Sequence, residues 1–155
     1  MGSRIPIRVL TATIVTKPCD YPGCERQPHD IGVTEYRTAS GELVETPVPG
    51  DAYIEPWSLR RQQTEGVHTC QWENCDGRHL MVCLPPDGFR WSVDGRASNC
   101  TLKEDRTHRC WQKEGELGSP SFTVGKSGPT CSAGAGSIAA PNYHGFLRNG
   151  HLEEC

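Results

Sequence analysis

At 155 residues, with 35% of them hydrophobic even when nine cysteines are counted in, and with 17 glycines and 12 prolines, the chain has material for one small domain with a thin core. A formal net charge of −3 argues against a global attraction to phosphate backbones or anionic lipid. No apolar run approaches the roughly eighteen residues of a membrane-spanning helix, so neither a membrane nor a nucleic acid is the expected partner.

A core this thin needs staples, and the choice lies between disulfides and metal. The opening residues, MGSRIPIRVLTATIVT, lack the unbroken apolar region of a secretory signal, being interrupted by Pro6, Arg8, Thr11 and Thr13. The expectation is a soluble protein of a reducing compartment, where clustered cysteines bind zinc more often than they pair with one another. An odd count of nine cysteines agrees with this.

Taken in order, residues 5 to 16 alternate at period two, with Ile5, Ile7 and Val9 on one side and Leu10, Ala12 and Ile14 on the other, which predicts a strand. Lys17-Pro18 ends it, and a tight loop follows with Cys19, Cys24 and, five residues on, His29. Its Pro22-Gly23 dipeptide is a turn signal that would fold the two thiols toward each other. The stretch IGVTEYR from Ile31, a polar turn at Ser40-Gly41 and then LVETPV predict a hairpin, with a further short strand at Ala52-Tyr53-Ile54. Only residues 57 to 63, WSLRRQQ, offer good helix formers in succession, behind Pro56 and ahead of Gly66.

The stretch from His68 to Cys83, HTCQWENCDGRHLMVC, carries three cysteines and two histidines in sixteen residues. In it Cys70 and Cys75 repeat the Cys-x4-Cys spacing of Cys19 and Cys24, a spacing within the range usual for zinc ligands on one knuckle. An apolar run at residues 79 to 84 ends at Pro85-Pro86-Asp87-Gly88, and Phe89, Trp91 and Val93 then alternate with polar residues up to the Asp94-Gly95 turn. Residues 79 to 93 therefore predict a buried hairpin. Beyond it come a short strand at RCWQ, another at SFTV, and a flexible loop at CSAGAGS. The GAGSIA run at 134 to 139 belongs to that loop, since Pro141 stands where the helix of a dinucleotide fingerprint would begin. The final hairpin turns at Asn149-Gly150, a type I′ signal, with Tyr143, Gly145 and Leu147 on one face and His144 and Phe146 on the other. The fold class expected is mainly β: a small, zinc-stapled domain of hairpins and sheets with little helix. Residues 1–66 would form an N-terminal β subdomain carrying the Cys19/Cys24 knuckle, and residues 67–155 a zinc-clasped β domain, the two making one compact unit.

Thiolate and neutral imidazole are the preferred zinc ligands, and a closed tetrahedral site needs four of them. The first choice is Cys70, Cys75, Cys131 and His144, with His68 and His79 in reserve. Cys19, Cys24 and His29 form a second candidate half-site, for which Cys100, His108 and Cys110 could supply a fourth ligand or form a cluster of their own. The competing reading of each cluster is a set of core or surface thiols. Cys83, inside an apolar strand, reads as a small core residue and Cys155 as an exposed one.

Residues 67 to 153 also carry a resemblance. Cys70 and Cys75, the strand ending Leu84-Pro85, Trp91, Pro120-Ser121-Phe122, Cys131 and the hairpin YHGFLRNGHL are similar to the pattern of an uncharacterised family of small bacterial and phage proteins taken to bind zinc. The wording DGFRWSVDGRASNC resembles hypothetical proteins of actinobacterial phages. The knuckle here is wider than the family's, and thirteen positions separate Cys131 from His144 where the family's last Cys and His lie closer. The resemblance implies a zinc site and a viral origin, in the bacterial cytoplasm or in the virion, and no reaction.

The functional expectation is a small zinc-binding interaction protein with a structural metal and a host or virion protein as partner. Trp57, Trp72 and Trp111 would suit such an interface, and core packing explains them equally well. A zinc-dependent hydrolase is the rival from another class, with Glu73 or Asp76 as general base, although HExxH and deaminase signatures are absent. A knuckle that binds nucleic acid is the third reading.

Overall fold

The computed structural model describes residues 4–26, 28–56, 81–94, 100–102, 104, 110–126 and 136–155. Among these the chain is mainly β, with thirteen strands in three open sheets, as its alternating runs of Ile, Val and Thr require. The N-terminal run, expected as one strand, is instead three: β1 (Arg4–Pro6), β2 (Arg8–Val9) and β3 (Thr11–Pro18). Each joins a different sheet. Pro6 has no N–H with which to continue a ladder. The residues at the two breaks bond elsewhere, Ile7 N–H donating to the Gly150 carbonyl at 2.8 Å and Leu10 N–H to that of Ala52 at 2.9 Å. A single apolar alternation thus stitches the three sheets together.

In the largest sheet β1 pairs antiparallel with β13 (His151–Glu154), followed by β12 (Tyr143–Arg148), β10 (Thr123–Lys126) and β9 (Trp111–Glu114). The β12–β13 hairpin turns as expected, with Asn149 at φ 50° and Gly150 at φ 71°, the two left-handed positions of a type I′ turn. Its inner face is Tyr143, Gly145 and Leu147; His144 points to solvent. The GAGSIA run departs from expectation, because Ile138–Ala140 forms a strand, β11, against β12, and Ile138 is fully buried. Glycines on its N-terminal side disguise it as loop.

The second sheet holds β2, β6 (Asp51–Ile54), β7 (Met81–Cys83) and β8 (Trp91–Ser92), with β2 and β6 parallel. The hairpin expected over 79 to 93 is present as β7, buried throughout, and β8, which buries Trp91 and exposes Ser92, but Phe89 does not share the face of Trp91 and Val93. Its N–H caps the Asp87 carboxylate at 3.0 Å in the turn, which leaves the ring 47% exposed. Side chains from both sheets form one core: Met81, Cys83, Trp91 and Val93 from the second meet Trp111, Val124 and Leu147 from the first. Trp111 is thus a core residue, packed edge-to-face on Trp91 with ring centroids 5.4 Å apart. Strand pairing crosses residue 66 in both sheets, through β1 with β13 and β6 with β7.

Two carboxylates are buried in this core, and each is satisfied by one backbone N–H and one cation, as burial of a charge demands. Asp51 accepts two guanidinium N–H bonds from Arg8, at 2.7 and 2.8 Å, and the Val48 N–H at 2.8 Å. Asp94 accepts the Met81 N–H at 2.8 Å and faces the Lys113 ammonium at 2.7 Å.

The third sheet, β3, β4 (Asp30–Arg37) and β5 (Leu43–Val44), is the least buried of the three. It packs through Ala12, Tyr36 and Val44 onto Leu10, Tyr53, Val82 and Leu84. This contact lies toward the Thr11–Arg37 end of the β3–β4 ladder. At the opposite end, Lys17, Pro18 and Asp30 are exposed.

Candidate metal centre

That exposed end carries the cysteine loop. The β3–β4 ladder runs from Thr11 opposite Arg37 to Pro18 opposite Asp30 and gains one more bond, from the Cys19 N–H to the His29 carbonyl at 2.8 Å. Cys19 and His29 therefore face each other where the loop of residues 19–29 leaves the sheet. Within the loop, Tyr21-Pro22-Gly23-Cys24 is a turn closed by the Cys24 N–H to the Tyr21 carbonyl at 3.3 Å. Pro22 supplies the fixed φ of its first central position and Gly23, at φ 77°, the left-handed second, the signature of a type II turn. The turn carries Cys24 back over the ladder's end.

The result brings one ligand atom each from Cys19, Cys24 and His29 within 4.8 Å of one another, all three residues half-buried. Cys24 Sγ lies 3.9 Å from His29 Nδ1. Zinc–sulfur and zinc–nitrogen bonds of about 2.3 and 2.0 Å place tetrahedral ligands about 3.5 to 3.8 Å apart, so the group needs only a small contraction to hold such an ion. His29 Nδ1 also lies 3.1 Å from the Arg26 carbonyl. A nitrogen that donates a proton there cannot ligate, so metal binding through Nδ1 exchanges that proton and hydrogen bond for the metal. The Cys19–Cys24–His29 half-site is thus a group able to hold a metal ion.

The other candidates fall differently. Cys70, Cys75 and Cys131, like His68, His79 and His108, lie outside the described residues. His144 stands exposed on the outer face of β12, with Nε2 3.0 Å from Ser137 Oγ. Cys100 and Cys110 are buried in the core and do not join the Cys19 group. Cys83 is fully buried as expected, and loss of hydration, followed by the nearby Asp51 charge, pushes its thiol up to about 12. Cys155 is exposed.

One cluster left no trace in the sequence. Tyr36 on β4 and Tyr53 on β6 meet edge-to-face, with centroids 5.0 Å apart, and Arg90 Nη2 donates to Tyr53 OH at 3.0 Å. With Glu45, Pro47 and Leu84 they line a cleft of about 360 Å³ between the second and third sheets. Burial, aided by the hydrogen bond with Tyr53, pushes the Tyr36 hydroxyl up to about 12. Its residues come from separate strands with no shared spacing, so no motif could have announced it.

Comparison with protein-family models, with characterised proteins and with solved structures finds no match for the chain. Among the described residues no helix is long and apolar enough to cross a membrane. What the geometry defines is a class: a mainly β, cysteine-rich protein with a Cys–Cys–His group, able to hold a metal ion, where a hairpin loop leaves its sheet.

Proposed function

We propose that the chain is a small zinc-binding interaction protein whose β3–β4 loop is ordered by the metal and offered to a protein partner. One observation carries the reading: thiol, thiol and imidazole converge within 4.8 Å at the least buried end of the least buried sheet. Two sulfurs and one nitrogen suit zinc better than the hard, oxygen-seeking cations. Loops in hairpins usually span two to five residues, and this longer one has few apolar contacts to order it, so metal binding supplies what packing does not. Tyr21, 70% exposed two residues after Cys19, is the side chain such a loop would present, and tyrosine is a frequent anchor of protein interfaces. A structural role is favoured over hydrolysis because no carboxylate among the described residues joins the donor group.

Metal analysis by mass spectrometry tests the reading. The protein is expected to carry zinc, and Cys19→Ser, Cys24→Ser and His29→Ala are each expected to lower its content by the same increment. Retention of full metal content by all three variants would overturn the assignment.

A further inference from the structure

We infer that the Cys19–Cys24 pair is a peroxide-responsive latch, in which oxidation joins the two sulfurs as a disulfide and releases the zinc. The inference rests on the zinc reading above and adds to it a regulation of the same site. Three observations support it. The two sulfurs are within 4.8 Å across a four-residue turn, and both residues are half-exposed. A disulfide needs about 2.05 Å between sulfurs, so the turn must close by less than 3 Å, at a loop that little packing restrains. The remaining core thiols are shielded, since Cys83, Cys100 and Cys110 are 0%, 5% and 2% exposed. A thiol held near 12 by burial, as at Cys83, offers no thiolate to an oxidant at neutral pH.

The chemistry balances with hydrogen peroxide as the oxidant. One thiolate attacks a peroxide oxygen, the O–O bond breaks, and a sulfenic acid forms as hydroxide leaves. The second thiolate attacks the sulfenic sulfur, the S–S bond forms, the S–O bond breaks, and a second hydroxide leaves. Two electrons pass from the sulfur pair to peroxide, and two solvent protons convert both hydroxides to water. Zinc then retains only His29 of the three ligands and dissociates. The loop stays closed, now by a covalent bond, while the imidazole is returned to solvent. A reducing thiol reverses the step.

The test uses the zinc-loaded full chain in a Cys155→Ser background, which removes the exposed terminal thiol. Peroxide is added, freed zinc is followed with a chromogenic chelator, and peptide mass spectrometry locates the disulfide. The expected result is zinc release together with a Cys19–Cys24 disulfide, reversed by dithiothreitol. Leu43→Gln, at the opposite end of the same sheet, alters no ligand and is expected to respond at the parental rate. Zinc that stays bound under peroxide, or leaves without that disulfide, would overturn the latch while the zinc assignment stands. Zinc content that is left unchanged by Cys19→Ser, Cys24→Ser and His29→Ala alike would instead sink the zinc assignment itself.

Discussion

The joined core of the first two sheets and the loop end of the third solve the same problem by different means. In the core, Ile138, Leu147, Leu152 and Met81 are all but fully buried, and the two charges that must lie inside, Asp51 and Asp94, each meet a cation and a backbone N–H. At the loop, no described residue belongs to an apolar core, Tyr21 is 70% exposed, and the groups brought together are two thiols and an imidazole. The difference teaches where a chain with little hydrophobic material places it. Apolar area is concentrated where the two larger sheets meet, and the remaining hairpin carries instead a Cys–Cys–His group able to hold a metal ion; the binding free energy of zinc in small zinc modules, roughly 10 kcal/mol or more, rivals the stability of a whole domain.

The largest effect that separates the two regions is expected at Gly145. A Cβ there would collide with the Glu153 carbonyl oxygen, a backbone atom of the paired strand, and come within 2.6 Å of Tyr143 OH, the end of a buried ring. Gly145→Ala is therefore expected to cost about 3 kcal/mol or more, read as a lower urea midpoint with an unchanged slope. Tyr143→Phe supplies the control. Its hydroxyl is buried with no hydrogen-bond partner among the described residues, so removing it is expected to be close to neutral or stabilising. Zinc content should follow neither variant so long as the protein is folded; loss of metal in folded Gly145→Ala would show that the two regions are coupled.

A smaller, local effect is expected from the other side. Chelation of zinc, or Cys24→Ser, should leave β12 amides as protected from hydrogen exchange as before. The Cys19 amide, whose bond to the His29 carbonyl is the last rung of the ladder, should exchange about tenfold or more faster as the loop opens. Equal acceleration in β12 would mean that the metal holds the whole domain rather than its least buried hairpin.

How much of this was legible in the sequence follows the same division. The final hairpin could be read completely, because Asn149-Gly150 demands two left-handed residues and the flanking alternation assigns faces. Cys19, Cys24 and His29 could be read as a group because their grouping is local: one turn and one ladder end bring them together. What could not be read is non-local. The alternation over residues 5 to 16 separates Ile5 and Ile7, which pack on one core, from Leu10 and Ala12, which pack on the other, but does not reveal that three successive pieces pair with three different sheets, a choice made by β13, β6 and β4 far along the chain. The Asp51 and Asp94 pairings, and the contact of Tyr36 with Tyr53, likewise depend on which strands become neighbours. Phe89 and Ile138 were misplaced for a third reason, since a turn carboxylate and a glycine run override the periodicity around them.

The smallest effect concerns pH, and there the two regions are expected to fail at opposite ends. Burial holds Cys83 at about 12 against its ordinary 9.0, and Tyr143, for the same reason and with Glu154 adding to it, at about 12 against 10.0. In each case the folded value exceeds the unfolded one, so the neutral form is favoured by folding. Their stabilisation is fully present below about pH 9 and is lost as pH rises toward 12. The proposed zinc would run the other way, since metal binding releases protons and weakens in acid. Urea midpoints followed from pH 8 upward are expected to fall, and Cys83→Ala should make that fall shallower between about 9 and 12. Over the same alkaline range bound zinc should be retained until the core itself gives way. A stability curve that is flat to pH 11 would mean that Cys83 and Tyr143 keep enough water, or enough freedom to reach it, to ionise in place, and the contrast between a dry core and a loop proposed to be held by metal would lose its alkaline half.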